Sequence, residues 1–188
     1  MGRPHDGAAA EGKATASPAR ERPLRADAQR NYDSLLGAAC ECFAERGLRA
    51  SVDEIARRAG VGHGTVFRRF PTKDALLVAV LGQELEQLLV LASAALAEPD
   101  AGAAFSGFFR AVAAAYGRNR ALLEGVERCR ELPQAEPLRQ ASDRIVRRAQ
   151  EAGMLRRDLT TSDVFELVPA ASRFPDVVLD GLRPPAPA

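Results

Sequence analysis

Apolar side chains recur every three or four residues along most of the chain, and no segment shows the alternation of a β-strand, so the pattern predicts an all-α fold. Tyr32, Leu35, Leu36, Ala39, Cys40 and Phe43 place a first helix over about 26–46, closed by Gly47, with Leu48 positioned to fold back on its last turn. Ser51 and Glu54 have the spacing of a capping box, in which each side chain pairs with an amide left open at a helix start. They open a second helix over 52–59 that buries Val52, Ile55, Ala56 and Ala59 and stops at Gly60. A third begins near Gly62, with Val61 and Val66 spaced as a hydrophobic staple, and is closed by Pro71. Val66 and Phe70 face inward there. That turns Gly64 and Arg68 outward, flanked by Thr65 and Phe67, with His63 in the first turn.

Beyond this point the stripes lengthen. Thr72 caps a helix over 73–98 whose Leu77, Leu81, Leu85, Leu88, Ala92 and Leu96 share one face, and Pro99 ends it. Phe105, Phe108, Phe109, Val112 and Tyr116 mark a fifth helix that stops at Gly117. Leu122, Leu123, Val126 and Cys129 mark a sixth that stops before Pro133. A seventh runs from near Pro137 through Leu138, Ala141, Ile145 and Ala149 to Gly153, and Thr160 with Asp163 caps an eighth. Pro169 and Pro175 fall in the stretch that follows. A proline inside a helix removes a hydrogen bond and costs about 3 kcal/mol, so this region is expected to be kinked or broken.

The chain thus divides into a disordered basic arm over 1–25, a three-helix unit with a helix-turn-helix over 26–72, and a larger helical unit over 73–188. Arg20, Arg22 and Arg25 of the arm have two readings that stay open, a solvated tail and a minor-groove contact. The tract SVDEIARRAGVGHGTVFRRFPTK carries two short helices around a glycine-marked turn and ends in a basic face, the layout that enters a DNA major groove. Charge supports this. Arg20 to Lys73 hold eleven Lys/Arg against seven Asp/Glu, a balance of +4, so the remainder carries −3 in a chain whose net charge is +1.

Composition narrows the chemistry. With 46% apolar and 27% charged residues the chain reads as an ordinary globular protein. Its longest uncharged apolar run, Leu88 to Ala97, falls far short of the roughly 20 residues a membrane span needs. The first residues lack an apolar leader core, and Asp6 stands where a myristoylation signal needs Ser or Thr, so the expected location is the cytoplasm. Cys40 and Cys42 point to nearly opposite sides of one helix and Cys129 has no neighbouring ligand, so all three read as small core residues. Only His5 and His63 are present, and the chain holds no GxxxxGK loop, no paired-cysteine site and no nucleophile with a histidine base. No enzyme, metal or cofactor is expected.

The segment from about Arg25 to Leu81, with FAERGLRAS, VDEIARRAGVGHGTVFRRF and FPTKDALL, closely resembles the N-terminal domain of the TetR family of bacterial transcriptional regulators. The resemblance implies that Ser51, His63, Gly64, Thr65, Phe67, Arg68 and Lys73 occupy DNA-contacting positions, with Lys73 on a phosphate. It also implies a homodimer and a small-molecule pocket among helices 4 to 8. Two departures stand out: Phe67 replaces a tyrosine whose hydroxyl reaches a phosphate, and the C-terminal region that dimerises in the family is interrupted by Pro169 and Phe174-Pro175.

The leading expectation is a ligand-responsive repressor that binds a pseudo-palindromic operator in double-stranded DNA. The alternative is a helical protein-interaction module or adaptor with a vestigial DNA reader. His63 and Arg68 would read base edges while Thr65 and Lys73 hold phosphates. Phe105, Phe108, Phe109 and Tyr116 carry both a core and a ligand-pocket reading, because their spacing is that of a buried face. Arg57, Arg58, Arg147 and Arg148 are expected to be solvated surface.

Overall fold

The computed structural model describes residues 18–185, with side chains from Gln29 onward, and every regular element among them is a helix. Helix α1 spans Pro18–Arg46 and so starts within the stretch expected to be a disordered arm. Proline suits a first helical turn, where its missing N–H would have no partner and its fixed φ is already helical. Residues 1–17 and the side chains of Arg20, Arg22 and Arg25, with the expectations placed on them, lie outside the described residues.

Gly47 ends α1 in the left-handed region, at φ 57°, and leads into a short 3₁₀ turn, Gly47–Arg49. Leu48 in this turn is 38% exposed, and its backbone N–H and C=O are both engaged by side chains from elsewhere in the chain. Helix α2 (Val52–Ala59) then starts on Ser51, whose hydroxyl oxygen accepts the Glu54 N–H at 3.2 Å. The reciprocal half of the expected capping box is replaced, since the Glu54 carboxylate pairs with Arg46 at 3.1 Å. Gly60, at φ 68°, closes α2 and hands over to α3 (His63–Arg69).

Helix α4 (Lys73–Ala97) begins on Thr72, whose side chain accepts the Ala75 N–H at 3.0 Å. Its 25 residues are long and apolar enough by composition to cross a bilayer, more than the uncharged run Leu88 to Ala97 indicates, because leucines and valines continue on the other side of Glu84 and Glu86. Here α4 is a core helix. Leu77, Leu81, Leu85, Leu88 and Ala92 are buried, and it packs against α1, α5 and α8. Helix α5 covers Ala101–Arg118, and the expected sixth helix is two pieces, α6 (Arg120–Glu124) and α7 (Val126–Arg130), divided at Gly125. A Cβ at Gly125 would lie 2.7 Å from the Ala121 carbonyl, so only glycine fits this corner.

Helix α8 (Ala135–Glu151) packs against both α4 and α5. The chain then breaks into α9 (Thr161–Glu166), α10 (Val168–Ala171) and α11 (Pro175–Gly181), with breaks around Pro169 and Pro175 as the sequence predicts. Thr160 and Asp163 form the full capping box. One continuous apolar core runs from Leu35 to Leu182, so packing does not stop at the boundary between the two helical units. Phe105, Phe108 and Phe109 lie within it, and Tyr116 packs against it half-buried.

Candidate nucleic-acid interface

The segment from α2 to the start of α4 presents a mostly polar face because most of its apolar residues, Phe67 excepted, pack into or against the core. Val66 is 1% exposed and Phe70 7%, and these two anchors fix how α3 is rotated. His63, Gly64, Phe67, Arg68 and Arg69 are left on the solvent side, with Thr65 half-buried at its edge. Val66 and Phe70 stand four apart, so the outward strip follows from helical geometry alone.

Contacts order this strip. His63 Nδ1 lies 2.5 Å from the Asp53 carboxylate of α2, and its ring lies 4.7 Å from that of Phe67. The Arg68 guanidinium donates to Thr65 Oγ1 at 3.2 Å, which holds two candidate recognition side chains side by side. Phe67 is 37% exposed, an aromatic ring at the surface of a basic face. Gly64 is exposed, and a Cβ added there would meet nothing within 4 Å, so nothing in the protein itself requires glycine at this position.

Lys73 has a structural partner. Its ammonium donates to the Leu48 carbonyl at 2.6 Å and ties the start of α4 to the 3₁₀ turn. An ammonium carries three donors, so this bond does not exhaust it. Ser51 likewise accepts from Glu54 as an N-cap while staying exposed. The site residues of α3 therefore converge on one surface, with Ser51 and Lys73 at its flanks serving as local fasteners.

Several supporting residues are invisible to helical periodicity. Glu124 of α6 accepts the Leu48 N–H at 2.7 Å and the Arg120 guanidinium at 2.6 Å, and these bonds hold its carboxyl below its ordinary value of 4.5. Arg58 is not free surface. It forms a two-pronged pair with Glu45 of α1 at 2.8 and 2.9 Å, which lowers the Glu45 pKa and raises that of the guanidinium. Arg148 also departs from the solvated reading, since it donates to the carbonyls of Leu96 and Glu98 at 3.1 and 2.7 Å and so caps the C-terminal end of α4. Burial pushes the thiols of Cys40 and Cys129 up to about 11, which keeps them protonated and inert at neutral pH.

Sequence and fold comparisons agree with this arrangement. Residues 35–80 match the profile of bacterial regulatory proteins of the tetR family, and residues 100–184 match that of the SbtR-like transcriptional regulator C-terminal domain. A TetR transcription regulatory protein from Mycobacterium vanbaalenii is 40% identical to this chain, over 86% of this chain and 100% of that one, with a TM-score of 0.61. The chain belongs to the TetR family. A TetR transcriptional regulator from Streptomyces coelicolor is 30% identical, over 82% of this chain and 99% of that one, with a TM-score of 0.58. Similarity to an HTH-type transcriptional repressor of Mycobacterium tuberculosis reaches 52% identity over 60 residues, which are 30% of this chain and 32% of that protein. The chain thus matches about a third of the length of such curated relatives. TetR-family membership extends past the segment Arg25–Leu81 on which the resemblance first rested and takes in the C-terminal helices.

Proposed function

We propose that this TetR-family chain is a ligand-responsive repressor that binds a pseudo-palindromic operator as a homodimer in the cytoplasm. The observation that carries this reading is the rotation of α3: Val66 and Phe70 are sunk in the core, so His63, Gly64, Phe67 and Arg68 project together from the surface. In a major groove, Arg68 and His63 read base edges, Thr65 and Lys73 meet phosphates, and Phe67 packs on the sugar–phosphate surface without the hydroxyl a tyrosine would bring. Gly64 lets a phosphate or base edge come close to the helix backbone.

Dimerisation is supported by apolar side chains left open near the C-terminus, with Phe174 62% and Val177 72% exposed. A two-fold axis through that region places the two copies of α3 in successive grooves about 34 Å apart. An effector binding among the C-terminal helices lowers DNA affinity if it fits the splayed arrangement better. The aromatic face of Phe105, Phe108 and Phe109 is filled with its own side chains, so a ligand there has to part them.

The test is selection of duplexes from a random-sequence pool by the full chain, with sedimentation of the same preparation. A pseudo-palindrome with half-sites about one helical turn apart and a sedimenting dimer support the reading. Recovery of no preferred sequence, or a persistent monomer on DNA, overturns it in favour of the adaptor.

A further inference from the structure

A groove of about 440 Å³ runs between α1, α4 and the turn that joins α7 to α8. Tyr32 and Leu36 of α1, Val78 and Ala79 of α4, and Leu132 and Pro133 of the turn give it apolar walls. Among its polar residues, Glu86 and Gln134 face each other, and no lysine or arginine is among the described residues that line it. The groove is therefore apolar along its sides and negative at one end.

The amide of Gln134 is caught in a mismatch. Its nitrogen donates to Glu86 Oε1 at 3.0 Å, and since a carboxylate can only accept, the amide must present nitrogen on that side. This leaves Gln134 Oε1 buried with no hydrogen-bond partner, 3.9 Å from where a Cβ at Gly82 would sit. Buried acceptors normally have a donor. Two acceptors, one of them charged and one unsatisfied, call for a ligand that donates more than one hydrogen bond and carries positive charge.

We propose that this groove binds a small organic ammonium ion with an apolar body. The ammonium donates to the Glu86 carboxylate and displaces the amide nitrogen. Gln134 then turns its oxygen to the same ammonium, so one amide hydrogen bond to the carboxylate is exchanged for two bonds to a cation, one of them between opposite charges. The apolar body lies along Leu36, Val78 and Ala79 beside the Tyr32 ring. The site goes beyond the repressor reading and does not depend on it, because it can be assayed without DNA.

The experiment is calorimetric titration of the full chain with 2-phenylethylammonium, with 2-phenylethanol and phenylacetate as neutral and anionic counterparts. The ammonium is expected to bind at one site with a Kd of about 1 mM or below, and the alcohol about tenfold more weakly or worse. Glu86→Gln and Gln134→Leu are each expected to weaken the ammonium about tenfold, with melting temperatures unchanged. Gln134→Glu, which keeps an acceptor and adds charge, is expected to tighten it, and it serves if Gln134→Leu does not fold. No saturable ammonium binding, equal binding of phenylacetate, unaltered affinity in Glu86→Gln, or weaker binding by Gln134→Glu overturns the proposal. A failure to bind DNA by protein that still binds the ammonium counts against the repressor reading alone.

Discussion

The carboxylate of Glu124 accepts the backbone N–H of Leu48 at 2.7 Å, so α6 grips the turn that leads into α2 and α3. Gly47 makes this possible. A Cβ at that position would lie 2.2 Å from Glu124 Oε2 and push that carboxylate off the turn, and the backbone there is left-handed, which glycine adopts without strain. Lys73 holds the other side of the same residue, through the Leu48 carbonyl at 2.6 Å.

Removing the grip should loosen the turn. In Glu124→Ala, amide exchange at Leu48 is expected to accelerate while exchange in the buried centre of α4 stays slow. Uniform acceleration across both would show that Glu124 acts on global stability instead.

Acid should weaken the fold through carboxylates of this kind. Glu124 is held low first by the Leu48 N–H and then by Arg120, and Glu136 is held at about 2 by Arg139 and Gln140. A carboxyl whose folded pKa lies below its unfolded value stabilises the fold above the unfolded pKa, and that contribution is lost as pH falls through the folded one. Urea midpoints are therefore expected to fall between about pH 4.5 and pH 2, and Glu136→Gln should flatten part of that fall. Both groups are exposed, so screening by salt should shrink the effect.

At Gly64 stability and binding should move in opposite directions. No atom of another part of the described protein lies within 4 Å of where a Cβ would sit, so Gly64→Ala is expected to gain about 0.5–1 kcal/mol from helix propensity. Operator affinity, read by fluorescence anisotropy, should drop about tenfold or more as the methyl intrudes on the DNA. A variant that is more stable and binds equally well would remove close approach as the reason for glycine.

Arg68→Ala should relax base preference at one operator position with little change in salt dependence. Lys73→Met should weaken all sequences alike and reduce the slope of log affinity against log salt by about 0.9, the value for one phosphate contact. It should also lower the melting temperature, because the bond to Leu48 is lost; an unchanged slope with a lowered melting temperature would confine Lys73 to its structural role.

Arg148→Met is expected to cost about 2 kcal/mol, since the carbonyls of Leu96 and Glu98 lose charged donors at a partly buried helix end. Urea unfolding measures it. A change below about 0.5 kcal/mol, the usual surface range, would return Arg148 to the solvated class.

Periodicity was enough to place α2, α3 and α4 and the rotation of α3, because Val66, Phe70 and the leucines of α4 each have one side to bury. It was also enough to locate the breaks at Pro169 and Pro175, where a backbone donor is missing. What it could not reach depends on contacts between segments distant in the chain. Glu124 and Leu48 are 76 residues apart, and Arg148 and Leu96 are 52 apart, and neither pair leaves a local pattern. The start of α1 at Pro18 escapes the pattern for a different reason: alanine, arginine and proline without an apolar stripe read as a solvated arm even where the backbone is helical.

The corners at Pro169 and Pro175 leave α10 four residues long and α11 seven. In the proposed dimer, subunits joined through such pieces would meet as short rods hinged at fixed bends, so their mutual angle would be dictated by the bends and not by the length of any rod. Adding a residue at such a bend would redirect the closing helix, whereas the same insertion in a long straight helix would mostly shift its register.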